Sequence, residues 1–169
     1  MAPHQNRRGF LKSTATGVTL ASCAAAGAQP HPPGTARPAG SYSPLSVAHL
    51  QQLEDGASRA FNYPDPESPC LLLKMGKPIR GGIGPNLDII AFSALCTHMG
   101  CPVSYNNATR TIDCPCHFSM FDPEFGGQMI CGQATENLPQ IQLAFDEKSG
   151  RISAVGIHGH LYGRVSNLL

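Results

Sequence analysis

Cys96-Thr97-His98-Met99-Gly100-Cys101 and Cys114-Pro115-Cys116-His117-Phe118-Ser119 place four cysteines and two histidines between positions 96 and 117. Read as C-x-H-x2-C followed by C-x-C-H, each cluster offers one Cys/His pair and one further cysteine. One residue separates Cys96 from His98, so a single tight loop can bring both to a metal. Two residues separate Cys114 from His117, which does the same from a second loop. Thiolates and neutral imidazoles are good ligands for zinc and for iron. The pattern therefore predicts a metal centre held between two loops.

Zinc is the rival occupant, because two Cys and two His make a tetrahedral site. Zinc fingers favour a C-x2–4-C pair followed by an H-x3–5-H pair, not mixed Cys/His pairs. A zinc reading also leaves Cys101 and Cys116 without a role. A [2Fe–2S] centre with two thiolates on one iron and two imidazoles on the other uses the same four donors. The two loops resemble those of the Rieske family. That resemblance implies that Cys96 and Cys114 bind the inner iron and His98 and His117 the outer, solvent-facing one. It implies a Cys101–Cys116 disulfide tying the loops, one [2Fe–2S] cluster, and transfer of one electron at a time. It also implies an antiparallel β base domain carrying an inserted, small cluster-binding subdomain, about residues 91–136.

Histidine ligation lowers the negative charge on such a centre, so an electron is accepted more readily. Reduction makes the imidazoles hold protons more tightly, so potential should fall with pH once they ionise. Two further residues are expected to tune it. Ser119 stands where many high-potential Rieske proteins have a serine donating to a bridging sulfide. Phe121 stands where those proteins often have tyrosine, and phenylalanine has no hydroxyl to donate. The expected potential is thus lower than with both donors present.

Outward from the loops, short apolar runs alternate with Gly and Pro. Leu71–Met75 and Leu87–Phe92 read as strands, as does Thr111–Asp113 before the second loop. Ile141–Asp146 alternates apolar and polar with period 2. Glu147–Gly150 reads as a hairpin turn and Arg151–Gly156 as its returning strand. Residues 77–86 are a turn-rich connection; they lack the G-x4-G-K-[ST] pattern of a phosphate loop. Leu45–Leu53 is expected to be a helical turn or an ordered arm. The predicted fold is mainly β, without long helices. Leu138-Pro139 is expected to shield the cluster, by resemblance to a proline-containing family loop. Cys70 and Cys131, beside apolar neighbours, are expected to be buried free thiols. His158 and His160 are expected to be surface histidines.

The first 28 residues read as an address. Asn6-Arg7-Arg8-Gly9-Phe10-Leu11-Lys12 resembles a twin-arginine motif, followed by a weakly apolar stretch and the small-x-small site Ala26-Gly27-Ala28. Twin-arginine export carries folded proteins, which suits a metal centre inserted before transport and predicts a periplasmic location. Leu20-Ala21-Ser22-Cys23 also resembles a lipobox, so any membrane attachment is expected to be peripheral. Residues 29–44, rich in Pro, Gly, Ala and Ser, read as a flexible linker, and 45–169 as the metal-binding domain. Arg7, Arg8 and Lys12 account for the net charge of +1; the remainder holds 9 basic against 11 acidic residues. No basic stripe points to nucleic acid.

Phe121-Asp122-Pro123-Glu124-Phe125-Gly126-Gly127-Gln128-Met129-Ile130-Cys131-Gly132-Gln133-Ala134-Thr135 and Tyr162-Gly163-Arg164-Val165-Ser166-Asn167 look like the small subunit of arsenite oxidase. This second resemblance implies a large partner subunit with a molybdenum–pterin centre and an Fe–S cluster, where arsenite becomes arsenate. The chain would pass the electrons to a soluble cytochrome c or copper protein. The alternatives are a Rieske subunit of a quinol–cytochrome c oxidoreductase and a free-standing electron carrier.

Overall fold

The structure is a computed structural model, and it describes residues 42–167. The stretch resembling a twin-arginine motif, Cys23 and nearly all of the expected linker lie outside the described residues. Among the described residues, ten strands form two antiparallel sheets. The larger is ordered β1-β10-β9-β4-β3-β2 and the smaller β5-β6-β7-β8. The strands are β1 Leu45–His49, β2 Ser58–Asn62, β3 Pro69–Lys74, β4 Ile89–Ser93, β5 Ser104–Asn106, β6 Thr111–Asp113, β7 Met120–Asp122, β8 Gln128–Cys131, β9 Gln140–Asp146 and β10 Arg151–His158. The smaller sheet is inserted between β4 and β9. Among the described residues the only helices are 3-10 turns, and none is long and apolar enough to cross a membrane.

The continuous apolar run of β4 has a physical reason. Successive side chains of a strand point to opposite faces, and both faces of this strand are covered. Ile89 and Ala91 enter a core with Leu72, Ile141, Ile152 and Ala154. Ile90 and Phe92 enter a second core with Leu73, Met75, Cys96, Ile112, Cys114, Phe121 and Leu138. β3 divides in the same way, with Cys70 and Leu72 on one side and Leu73 on the other. The second core thus joins the larger sheet to the smaller one and takes in two of the site cysteines.

A polar tie reinforces this junction. Arg110, in the β5–β6 turn, donates from Nη2 to the Met75 carbonyl at 3.0 Å and from Nε to Glu124 at 2.6 Å. Lys77 Nζ lies 2.9 Å from the same carboxylate. Burial tends to raise the Glu124 carboxyl, but the two cations outweigh it and hold it below its ordinary value.

Two expectations need correction, and four strands were not foreseen. Residues 45–49 are a strand paired with β10, with Leu45 opposite Ala154, followed by one 3-10 turn at Leu50–Gln52. Burial of Val47 and Ala48 draws this segment onto the sheet. Cys131 is exposed, because it ends β8, an outer strand of the smaller sheet with few buried side chains. Strands β2, β5, β7 and β8 were not foreseen: β2 is largely exposed, and the other three are three or four residues long. The predicted 147–150 turn is present, with Gly150 N–H donating to the Asp146 carbonyl at 2.7 Å.

Candidate metal centre

β4 delivers the chain to the first loop, whose neck is closed by a bridge between Leu95 and Pro102. Inside it, Cys96 N–H donates to the Cys101 carbonyl and Gly100 N–H to the Cys96 carbonyl, both at 2.8 Å. Gly100 has φ +71°, and a Cβ there would lie 2.4 Å from the Tyr162 ring. Only glycine meets both demands. The second loop joins β6 to β7, with Cys114 N–H donating to the Ser119 carbonyl at 2.8 Å. The chain after β8 presses against it. A Cβ on Gly132 would stand 2.3 Å from Ser119 Cα.

These turns bring the predicted residues together. His98 Nδ1 and His117 Nδ1 are 3.2 Å apart, and their rings meet edge to face at 83°. Cys96 and Cys114 are buried at 1% and 2% exposure, whereas His98 is half-buried and His117 exposed. The donor set is therefore polarised, with thiols inside and imidazoles outside. Cys101 and Cys116 form a disulfide with Cα atoms 6.4 Å apart. The sulfurs of Cys101, Cys114 and Cys116 lie within 4.8 Å of one another. Two of the three are bonded together, so this trio is a disulfide resting beside Cys114 and not a separate ligand set.

Electrostatics agree with a cationic occupant. Burial pushes the Cys96 thiol above its ordinary value, and Cys114 alongside pushes it further. The His98 backbone and the Ser119 side chain oppose the rise. A buried thiol beside a second one ionises readily only when positive charge arrives, which bound iron would supply. The residues thus fit a two-iron group held by two thiolates and two imidazoles.

Ser119 is fully buried, and its Oγ accepts from Gln133 N–H at 3.1 Å and Ala134 N–H at 2.9 Å. With both contacts accepted, its own proton is left to donate on the Cys96 side. Phe121 is fully buried in the same core and presents no polar atom. Leu138 packs in the core with Cys96 and Cys114. Pro139 turns to the larger sheet: its carbonyl accepts from Ser93 N–H at 2.8 Å and a Cβ on Gly159 would lie 3.3 Å from its Cα. His158 and His160 are exposed, as expected, and join no larger ligand group among the described residues. Cys70 is buried, with its thiol pushed up to about 12 by desolvation.

Two contacts to the loops have no signature in the sequence. Thr97 Oγ1 donates to the Glu136 carbonyl at 2.8 Å, pinning the first loop to the segment before β9. Tyr162, from the C-terminal loop, covers Gly100. Both join residues far apart in the chain, which local patterns do not reveal.

Paired Cys/His loops on a two-sheet β scaffold, bridged by a disulfide, define a Rieske centre. The model of the Rieske [2Fe-2S] domain matches residues 44–142, and the chain belongs to that family, whose domain carries one [2Fe–2S] cluster. Its relatives include the iodate reductase subunit IdrB of Denitromonas iodatirespirans, 38% identical over 96% of this chain and 86% of that protein. The corresponding subunit of Pseudomonas sp. strain SCT is 36% identical over 94% and 82%. The cytochrome bc1 complex Rieske subunit of Corynebacterium glutamicum is 44% identical, but over 40% of this chain and 17% of that one. Among solved structures, the soluble domain of Rieske protein II (soxF) from Sulfolobus acidocaldarius superposes with a TM-score of 0.65 at 25% identity, covering 74% of this chain and 83% of that one. The chain is a Rieske electron-transfer protein.

Proposed function

We propose that this chain is the periplasmic Rieske subunit of an arsenite oxidase, exported by the twin-arginine pathway. Cys96 and Cys114 hold the inner iron, and His98 and His117 the outer one. When bound, the group takes up and releases one electron at a time. The buried thiols anchor it in the core, and the exposed imidazole edge of His117 is its route to partners. Arsenite is handled on a large subunit with a molybdenum–pterin centre and an Fe–S cluster. A soluble cytochrome c or copper protein takes the electrons onward.

One observation carries the assignment to an oxyanion-converting enzyme over a quinol-oxidising complex. Likeness to iodate reductase subunits runs over nearly the whole chain, while likeness to cytochrome bc1 subunits stops at 40% of it. Within the oxyanion class, the two stretches resembling arsenite oxidase belong to the site. Phe121–Thr135 includes Ala134, which donates to Ser119, and Tyr162–Asn167 begins with the residue over Gly100.

The IdrB relatives favour a second reading, the same relay run towards iodate. Electron paramagnetic resonance on the native complex separates these. A Rieske signal appearing on arsenite addition supports the proposal. A signal that iodate removes from the reduced complex, with no response to arsenite, assigns the chain to iodate reduction. A signal raised only by a quinol places it in a respiratory complex and defeats the proposal.

A further inference from the structure

Leu138 packs with Cys96 and Cys114, and the Pro139 carbonyl is tied to Ser93 of the larger sheet. The loop 159–167 meets the first ligand loop through Tyr162 at Gly100. It is tied to itself and to the body of the protein. Leu161 is buried, and its N–H donates to Asn167 Oδ1 at 2.8 Å. Asn167 Nδ2 donates to the Gly159 carbonyl at 2.7 Å. Arg164 grips Asp65, before β3, through Nη1 at 2.6 Å and Nη2 at 2.7 Å.

The loop presents Tyr162. Its Cδ1 and Cε1 fill the space where a Cβ of residue 100 would stand, at 2.5 and 2.4 Å. Gly100 lies between His98 and the disulfide residue Cys101, and its N–H closes the turn onto Cys96. Tyr162 is 38% exposed, and one edge of its ring meets the ligand loop. A flat side chain in that space limits the rotation of the turn and covers one side of half-buried Gly100.

We propose that Tyr162 is a positioning residue for the metal centre: its ring, seated on Gly100 and braced through Arg164–Asp65, fixes the first ligand loop and excludes water from that side. This rests on the ligand assignment proposed above. Reduction adds negative charge to the group, and negative charge is better stabilised where water enters. Removing the ring should therefore raise the potential and speed cluster loss, whereas removing only the hydroxyl should do neither.

The test uses the full-length, cluster-loaded protein. Potential is measured by voltammetry and cluster loss by decay of visible absorbance in the presence of a chelator. Tyr162→Ala is expected to raise the potential and lose its cluster severalfold faster, while Tyr162→Phe matches the parent. Arg164→Gln, which loosens the brace without touching the first loop, should move both readouts the same way by less, and serves if the alanine variant does not fold. A lower melting temperature with unchanged potential and unchanged cluster loss in Tyr162→Ala overturns the proposal. So does no shift in Arg164→Gln when the alanine variant cannot be obtained, or a Tyr162→Phe variant that behaves like Tyr162→Ala. Absence of a Rieske signal from the parent protein would instead defeat the ligand assignment itself.

Discussion

Replacing Ser119 with alanine removes one oxygen that performs two tasks, and the structure separates them. As an acceptor, Oγ holds Gln133 N–H and Ala134 N–H. Gln133 is exposed, so water can replace the lost acceptor, whereas Ala134 is 3% exposed and its N–H would be stranded. One buried unsatisfied donor costs about 1–3 kcal/mol. As a donor, the hydroxyl favours the ionised form of Cys96. A hydrogen bond to a charged group contributes about 1.5–3 kcal/mol. If that contribution is realised mainly in the reduced state, its loss lowers a one-electron potential by about 60–130 mV, at about 59 mV per tenfold change. Ser119→Ala should therefore melt earlier and show a lower potential in protein-film voltammetry, with iron content per chain unchanged. A variant that is destabilised as expected but keeps its potential within about 20 mV would refute the donor role, since that change corresponds to far less than one hydrogen bond. Ser119 would then be a brace for the chain after β8 and nothing more.

Three other outcomes can be checked. The Cys101→Ser/Cys116→Ser pair opens a loop with a sequence separation of 15, so the unfolded chain regains about 3 kcal/mol of freedom; the urea midpoint should fall by about 1.5 M for a slope of about 2 kcal/mol/M. Phe121→Tyr adds the missing hydroxyl beside the site cysteines and should raise the potential; an unchanged or lower value removes Phe121 from the list of tuning residues. Arg164 holds the Asp65 carboxyl below its ordinary value, with burial opposing it and Glu67 N–H and Ser68 assisting. A depressed folded-state value means that this stabilisation is fully present above the ordinary carboxylate range and is lost as pH falls through the folded-state value. Thermal melts should show that acid-side loss reduced in Asp65→Asn.

The two Cys/His loops were legible because metal coordination would impose those residue types at fixed short spacings, and the fold brings His98 to His117 and Cys96 to Cys114. β3, β4, β9 and β10 were legible because their apolar residues run or alternate over several positions. β5, β7 and β8 are too short to carry a period, and they exist through pairing with β6 and with each other. Cys131 misled because Met129 and Ile130 beside it suggest burial, while Ile130 is itself 51% exposed on an outer strand. The contact of Tyr162 with Gly100 depends on how the chain returns after β10, which no local pattern encodes.

The shared core has a practical consequence. Cys96 and Cys114 are packed with Leu73 and Ile90 of the larger sheet, so the cysteines proposed to hold iron are part of the core that folds the domain. Truncating Ile90 or Phe92, neither of which is a ligand, should reduce the iron recovered per chain purified from cells. In a mutagenesis screen of this protein, the brown colour of a cell pellet would report foldedness as much as coordination. Colourless variants should be sorted by circular dichroism before any of them is assigned to the ligand set.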